Sequence, residues 1–185
     1  LPDKVATHWG LDGQPDGWSS ARFGALLLPG VMVLMSALFA VLPNIDPLKK
    51  NYAFHGSVYF LFANVIVAFM GVVHLLVLGS ALGWPVDMRR VLPILIGALF
   101  VFIGRLLPRI QPNWFMGIRT PWTLSSEQVW RKTHVVGATC FTAAGVGIML
   151  IGLFAPGGMA TKLMLAAILL GAFWPVVYSY LEWRK

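Results

Sequence analysis

Arg119, Glu127, Trp130 and His134 stand in one polar stretch, residues 113–134, set between two long apolar runs. Glu127, Trp130 and His134 recur at i, i+3 and i+7, one face of a helix. The set holds a guanidinium fork, a carboxylate, an indole N–H and an imidazole. Such groups suit a recognition or gating surface facing the cytoplasm; the same stretch also reads as a well-capped connector with aromatic anchors. Arg105 and Arg109, one helical turn apart, are placed to reach Glu127 or a bound anion. Glu127 and Arg131 are spaced to pair with each other. No nucleophile–base pair, phosphate-cradling glycine loop, HExxH or haem signature occurs, so neither an enzyme nor a cofactor is expected.

Two other groups hold ionisable residues. His8, Asp12 and Asp16 lie in a turn-rich opening segment with Asp12-Gly13 and Asp16-Gly17 as predicted tight turns. A metal centre needs three or four convergent ligands with support behind them. The glycines and proline here argue against the helix that would align these three side chains. No metal site is expected; the three are expected to cap turns and hold the loop against the helix ends. Asn64, His74 and Arg105 fall within apolar runs, where a polar side chain is a functional hypothesis by default. Asn64 is expected to hydrogen-bond to a neighbouring helix. His55 and His74 are about 100° apart around a helix and share no face; His55 is expected at the membrane interface.

The elements that position these residues follow from composition. Only 11% of the 185 residues are charged, 58% are apolar, and mean hydropathy is +0.75. A soluble domain carries about 25% charge. The apolar runs are continuous and roughly 20 residues long, the length that crosses a bilayer as helix. The reading is an all-α, polytopic transmembrane bundle. Its five helices are placed at 23–42, 52–82, 91–107, 133–155 and 159–183. The second is long enough to tilt or protrude. Pro29, Pro93 and Pro175 are expected to kink their helices. Residues 1–22 have turn composition, with Ser19 or Ser20 capping the first helix. In the 109–132 segment, Pro112 turns the chain, Gly117 suits a positive φ, and Thr120-Pro121 breaks any helix. Ser125 with Gln128 fits a capping box. The lone Cys140 lies in an apolar run and cannot form an intrachain disulfide.

The net charge of +7 does not signal nucleic acid, because its distribution follows the helix ends. With five crossings, Lys4, Arg22, Arg89, Arg90 and Lys162 fall on one side. Lys49, Lys50, Arg105, Arg109, Arg119, Arg131, Lys132, Arg184 and Lys185 fall on the other. Basic loops stay in the cytoplasm. Residues 1–22 are therefore expected outside, with 109–132 and the C-terminus inside a bacterial inner membrane.

Two segments carry a family resemblance. Leu1-Pro2 with His8, followed by the Gly- and Asp-rich turn, is similar to a small uncharacterised domain with a Leu-Pro-x-x-x-Pro-x-His core; Ala6 stands where that pattern has Pro. Asn113-x-x-x-Gly117-Ile118-Arg119-Thr120-Pro121-Trp122, with Glu127, Trp130 and His134, closely resembles the SdpI family of membrane immunity proteins. These act against a sporulation-delaying peptide toxin. The resemblance implies six membrane helices, hence a sixth ahead of Leu1. It also implies resistance to a secreted peptide toxin meeting the outer face, and capture of a cytoplasmic repressor. It assigns no catalytic role to the motif positions. Two other readings stay open. One is a small transporter with a polar cavity at Asn64, His74 and Arg105. The other is an accessory subunit assembled with other membrane subunits.

Overall fold

The computed structural model describes residues 1–10 and 14–185. Asp12 and Gly13 lie outside the described residues. Among the described residues, five helices are long and apolar enough to cross a membrane: α1 (Ala21–Ile45), α2 (Tyr52–Ala81), α3 (Met88–Leu106), α5 (Glu127–Phe154) and α6 (Gly157–Trp183). A short α4 (Pro121–Ser125) lies in the segment between α3 and α5. The protein is an all-α, multi-pass membrane bundle.

The five helices fall close to the expected runs, with differences at the ends. Helix α5 starts at Glu127, ahead of the apolar run that begins near 133, because Ser126 caps it and the polar turns continue unbroken into the apolar part. The Ser125–Gln128 capping box is therefore displaced: Ser126 accepts from the Val129 N–H. Thr120-Pro121 does not simply end a helix; it begins one. Thr120 caps α4, and Pro121 occupies the first turn, where no N–H is missed. Ser20 caps α1 by accepting from Phe23 N–H at 3.4 Å. Pro29, Pro93 and Pro175 sit inside α1, α3 and α6.

The opening segment is more ordered than its turn composition suggests. Two antiparallel strands, β1 (Lys4–Trp9) and β2 (Pro15–Ser20), pair as a hairpin. Asp16-Gly17 lies within β2, not in a turn. Gly17 faces His8 so closely that a Cβ there would come within 2.9 Å of the His8 Cβ. Val5, buried on the hairpin's inner face, packs with Val77 near the end of α2 and Met88 at the start of α3. This anchors the hairpin over one end of the bundle.

The membrane helices are not evenly packed. The closest pairing is α3 with α5, where Gly97 and Gly145 sit back to back. A Cβ on either would reach the other's carbonyl oxygen at 2.5 Å. Small residues at such crossings let backbones approach in lipid, where no hydrophobic force drives helices together. Phe100 and Phe141 stack beside this seam, centroids 5.1 Å apart. Helix α6 packs on the other side of α5, with Gly171 close to Ala144. The α1–α2 pair touches this three-helix group mainly at its two ends. At 30 residues, α2 is about 45 Å long against a hydrocarbon core of about 30 Å. Its first two turns, carrying Tyr52, His55 and Tyr59, extend into the polar end of the bundle.

Candidate functional site

The 107–126 connector folds around Asn113, which is fully buried. Its Oδ1 accepts from Phe115 N–H at 2.9 Å and Met116 N–H at 2.6 Å. Its Nδ2 donates to the carbonyls of Gln111 and Met116, each at 2.9 Å. One amide thus meets its donor and acceptor capacity on the backbone of a single loop. Gly117 then turns the chain with φ +107°, as its position predicts. The next N–H, of Ile118, donates to His134 Nε2 at 3.1 Å. His134 Nδ1 lies 2.8 Å from the Trp130 carbonyl. A carbonyl only accepts and an N–H only donates, so the ring is the neutral Nδ1–H tautomer. Trp130 is buried, stacks on His134 at 4.2 Å and donates its indole N–H to Ile110 O at 2.8 Å.

Trp130 and His134 therefore meet the loop, whereas Glu127, on the same expected face, does not. Its carboxylate is 77% exposed and pairs with Arg131 at 3.3 Å. Arg105 and Arg109 are exposed and make no ion pair with it. Arg119 is exposed and donates to the Trp114 carbonyl at 2.5 Å, bracing the loop across its neck. Thr120 and Thr123 bond reciprocally around the α4 cap. The Thr120 hydroxyl also lies 3.0 Å from that of Ser179 on α6. Trp122 packs against Tyr180, over which Arg184 sits.

Several residues that complete this network have no local sequence signal. Asp46, at the end of α1, is almost fully buried. Its Oδ1 accepts from Leu48 N–H at 2.7 Å, and its Oδ2 from Trp114 N–H and Tyr52 O–H, each at 3.0 Å. Asn51 donates to Pro112 O at 2.7 Å. His55, in the first turn of α2 and fully buried, donates to Asn51 O and lies against Tyr52. Tyr59 donates to Phe39 O at 3.0 Å. Glu182 on α6 accepts from Lys132 on α5 at 2.5 Å and from Lys185 at 2.8 Å. That carboxylate holds the Lys185 ammonium above the usual lysine range. The connector is thus tied to the α1–α2 pair by Asp46 and Asn51, to α5 by Trp130 and His134, and to α6 by Ser179.

The other expected residues do not join it. His8 and Asp16 lie 2.5 Å apart on the exposed hairpin at the opposite end. Among the described residues no three metal-binding side chains converge. Asn64 is exposed on α2 and finds no hydrogen-bonding helix among the described residues, contrary to expectation. His74 is half-buried, its Nδ1 enclosed without a partner. Arg105 faces outward beside α5, so these three residues do not converge on one cavity. An apolar cavity of about 250 Å³ does lie between Phe62, Ile103, Phe141 and the Met116–Ile118 turn.

Comparison with known proteins agrees with the connector's pattern. Residues 109–179 match the SdpI/YfhL protein family, and residues 1–33 match a domain of unknown function, DUF1648. The whole chain is 24% identical to Immunity protein SdpI of Bacillus subtilis (strain 168), covering 86% of that protein. No solved structure matches it. The buried Asn113, the left-handed Gly117 and the Trp130–His134 stack all lie inside the 109–179 match, so the similarity to the SdpI/YfhL protein family falls on the residues that organise the connector.

Proposed function

We propose that this protein is a membrane immunity protein that protects its cell from a secreted peptide toxin; the name of its relative gives immunity as that protein's role. The observation that carries this reading is the connector's position. It is hydrogen-bonded both to the α1–α2 pair, which adjoins the outer hairpin, and to α5 and α6. A peptide pressing on the hairpin around His8 and Asp16, or on the helix ends beside it, shifts α1 and α2 against α5. Asp46 and Asn51 pass that shift to the loop. Trp114, Arg119 and Glu127 are exposed there for a cytoplasmic partner such as a repressor. Residues 1–22 then form the outer loop, 23–108 the first three membrane helices, 109–132 the inner motif, and 133–185 the last two helices with their basic tail.

The test is survival of a toxin-sensitive strain producing the full chain and challenged with the sporulation-delaying peptide toxin. Tolerance should rise with the intact chain. Arg119→Ala and Glu127→Ala should return it to the level of cells lacking the protein, at unchanged membrane abundance. Both side chains are exposed, so neither change opens a core. Full tolerance in both variants removes the proposed readout, and no protection by the intact chain removes the immunity role. Capture of a repressor adds a separate expectation: co-purification of that protein from toxin-treated cells, lost in Arg119→Ala.

Orientation is checked in a Cys140→Ala background. A membrane-impermeant maleimide should label Thr7→Cys in intact cells and reach Gln111→Cys only after permeabilisation. The reverse pattern inverts the topology, and with it the assignment of toxin and readout faces.

A further inference from the structure

Most basic side chains around the connector are already engaged. Arg119 is held by Trp114 O, Arg131 by Glu127, Lys132 and Lys185 by Glu182, and Arg184 lies over Tyr180. Arg105 and Arg109 make no hydrogen bond or ion pair among the described residues. Both lie at the end of the third membrane span, Met88–Arg109. A cation at that depth must reach the interface or find an anion.

Arg105 also rims a groove of about 760 Å³ between α3 and α5. The groove is floored by Gly104 and runs past Thr139, Ala143 and Gly147 to Leu150. Along α5 that course rises about 16 Å, close to half of a hydrocarbon core of about 30 Å. One end is therefore cationic and the remainder mainly apolar, over a length comparable to one acyl chain. A planar guanidinium fork matches two phosphate oxygens, and charge-assisted pairs of this kind are roughly twice as strong as neutral ones.

We propose that the α3–α5 groove binds one anionic phospholipid from the leaflet at the connector end. Its phosphodiester sits on Arg105 and Arg109, and one acyl chain lies along the groove toward Leu150. Two arginines favour a lipid with net negative charge over a zwitterionic one, whose own cation competes for the phosphate. The site is separate from the toxin-responsive surfaces and does not depend on the immunity reading.

The test uses the purified full chain in detergent, offered phosphatidylglycerol or phosphatidylcholine and examined by native mass spectrometry. The intact protein should retain phosphatidylglycerol about tenfold more than phosphatidylcholine. Arg105→Gln should abolish that preference, and Arg105→Lys should restore part of it. Gly147→Leu, which leaves both arginines intact but fills the groove, should lower retention of phosphatidylglycerol. Equal retention of the two lipids by the intact chain overturns the proposal, as does full preference in Arg105→Gln. Displacement of the lipid by equimolar inorganic phosphate, or no effect of Gly147→Leu, overturns the acyl-chain component and leaves a plain anion contact. Helix content by circular dichroism confirms that the variants being compared are folded.

Discussion

Asn113→Ala should lower the melting temperature of the detergent-solubilised protein by about 10 °C. The side chain supports the N–H groups of Phe115 and Met116 and the carbonyls of Gln111 and Met116. Alanine orphans all four. Each buried orphan costs about 1–3 kcal/mol. Water reaching the exposed Gln111 backbone offsets part of this, leaving about 3–5 kcal/mol in total. At about 2–4 °C per kcal/mol for a chain of this size, that is the stated shift. Asn113→Asp gives the discriminating comparison. It still accepts from the two N–H groups but sets a second oxygen against the two carbonyls, so its melting point should fall between the others. If alanine melts with the native chain, Asn113 does not organise the loop.

That residue could be found in the sequence, whereas the partners that anchor its loop could not. A Pro before Asn113 and a Gly four residues after it mark a turn, and an Asn in a turn bonds its own backbone two residues on. The helices were equally legible, because apolar runs of about 20 residues have one stable form in lipid. Asp46 is different. It meets Trp114 across 68 residues, and Glu182 meets Lys132 across 50. Periodicity describes one element at a time and cannot pair two of them. Scarcity could have flagged both: with seven acidic residues against fourteen basic, any carboxylate near an apolar run has reason to be buried and paired. Asn64 fails the other way. Its spacing does not reveal which side of α2 faces a neighbour, since that side depends on how loosely α1–α2 docks on α3 and α5. The hairpin was masked by its glycines; Gly17 is there to clear His8 within a strand, which local turn statistics read as a bend. The caps moved by one residue at Ser126 because Ser125 and Ser126 are chemically equivalent and only the geometry of the Thr120 turn chooses between them.

Gly117→Ala should be nearly as damaging as the loss of Asn113, and for a cause that can be isolated. Two costs fall on one atom. At φ +107° an L side chain is strained, worth about 1–3 kcal/mol. The new Cβ would also run into His134 Nε2, the acceptor of the Ile118 N–H. Moving the ring aside breaks that hydrogen bond, about 1 kcal/mol, and disturbs the stack on Trp130. A total of about 3 kcal/mol follows from these two terms. His134→Ala alone removes the acceptor, but it also clears the space that the added methyl needs. The double variant should therefore be less unstable than the sum of the singles, with a coupling of about 1–2 kcal/mol in a denaturation cycle. Strict additivity would mean that backbone strain alone is responsible and that His134 does not set the fit. Native stability in Gly117→Ala would mean that the turn at 117 is not held against α5. The loop would then be free of the helix to which the proposed readout is coupled, and toxin tolerance should not follow its integrity.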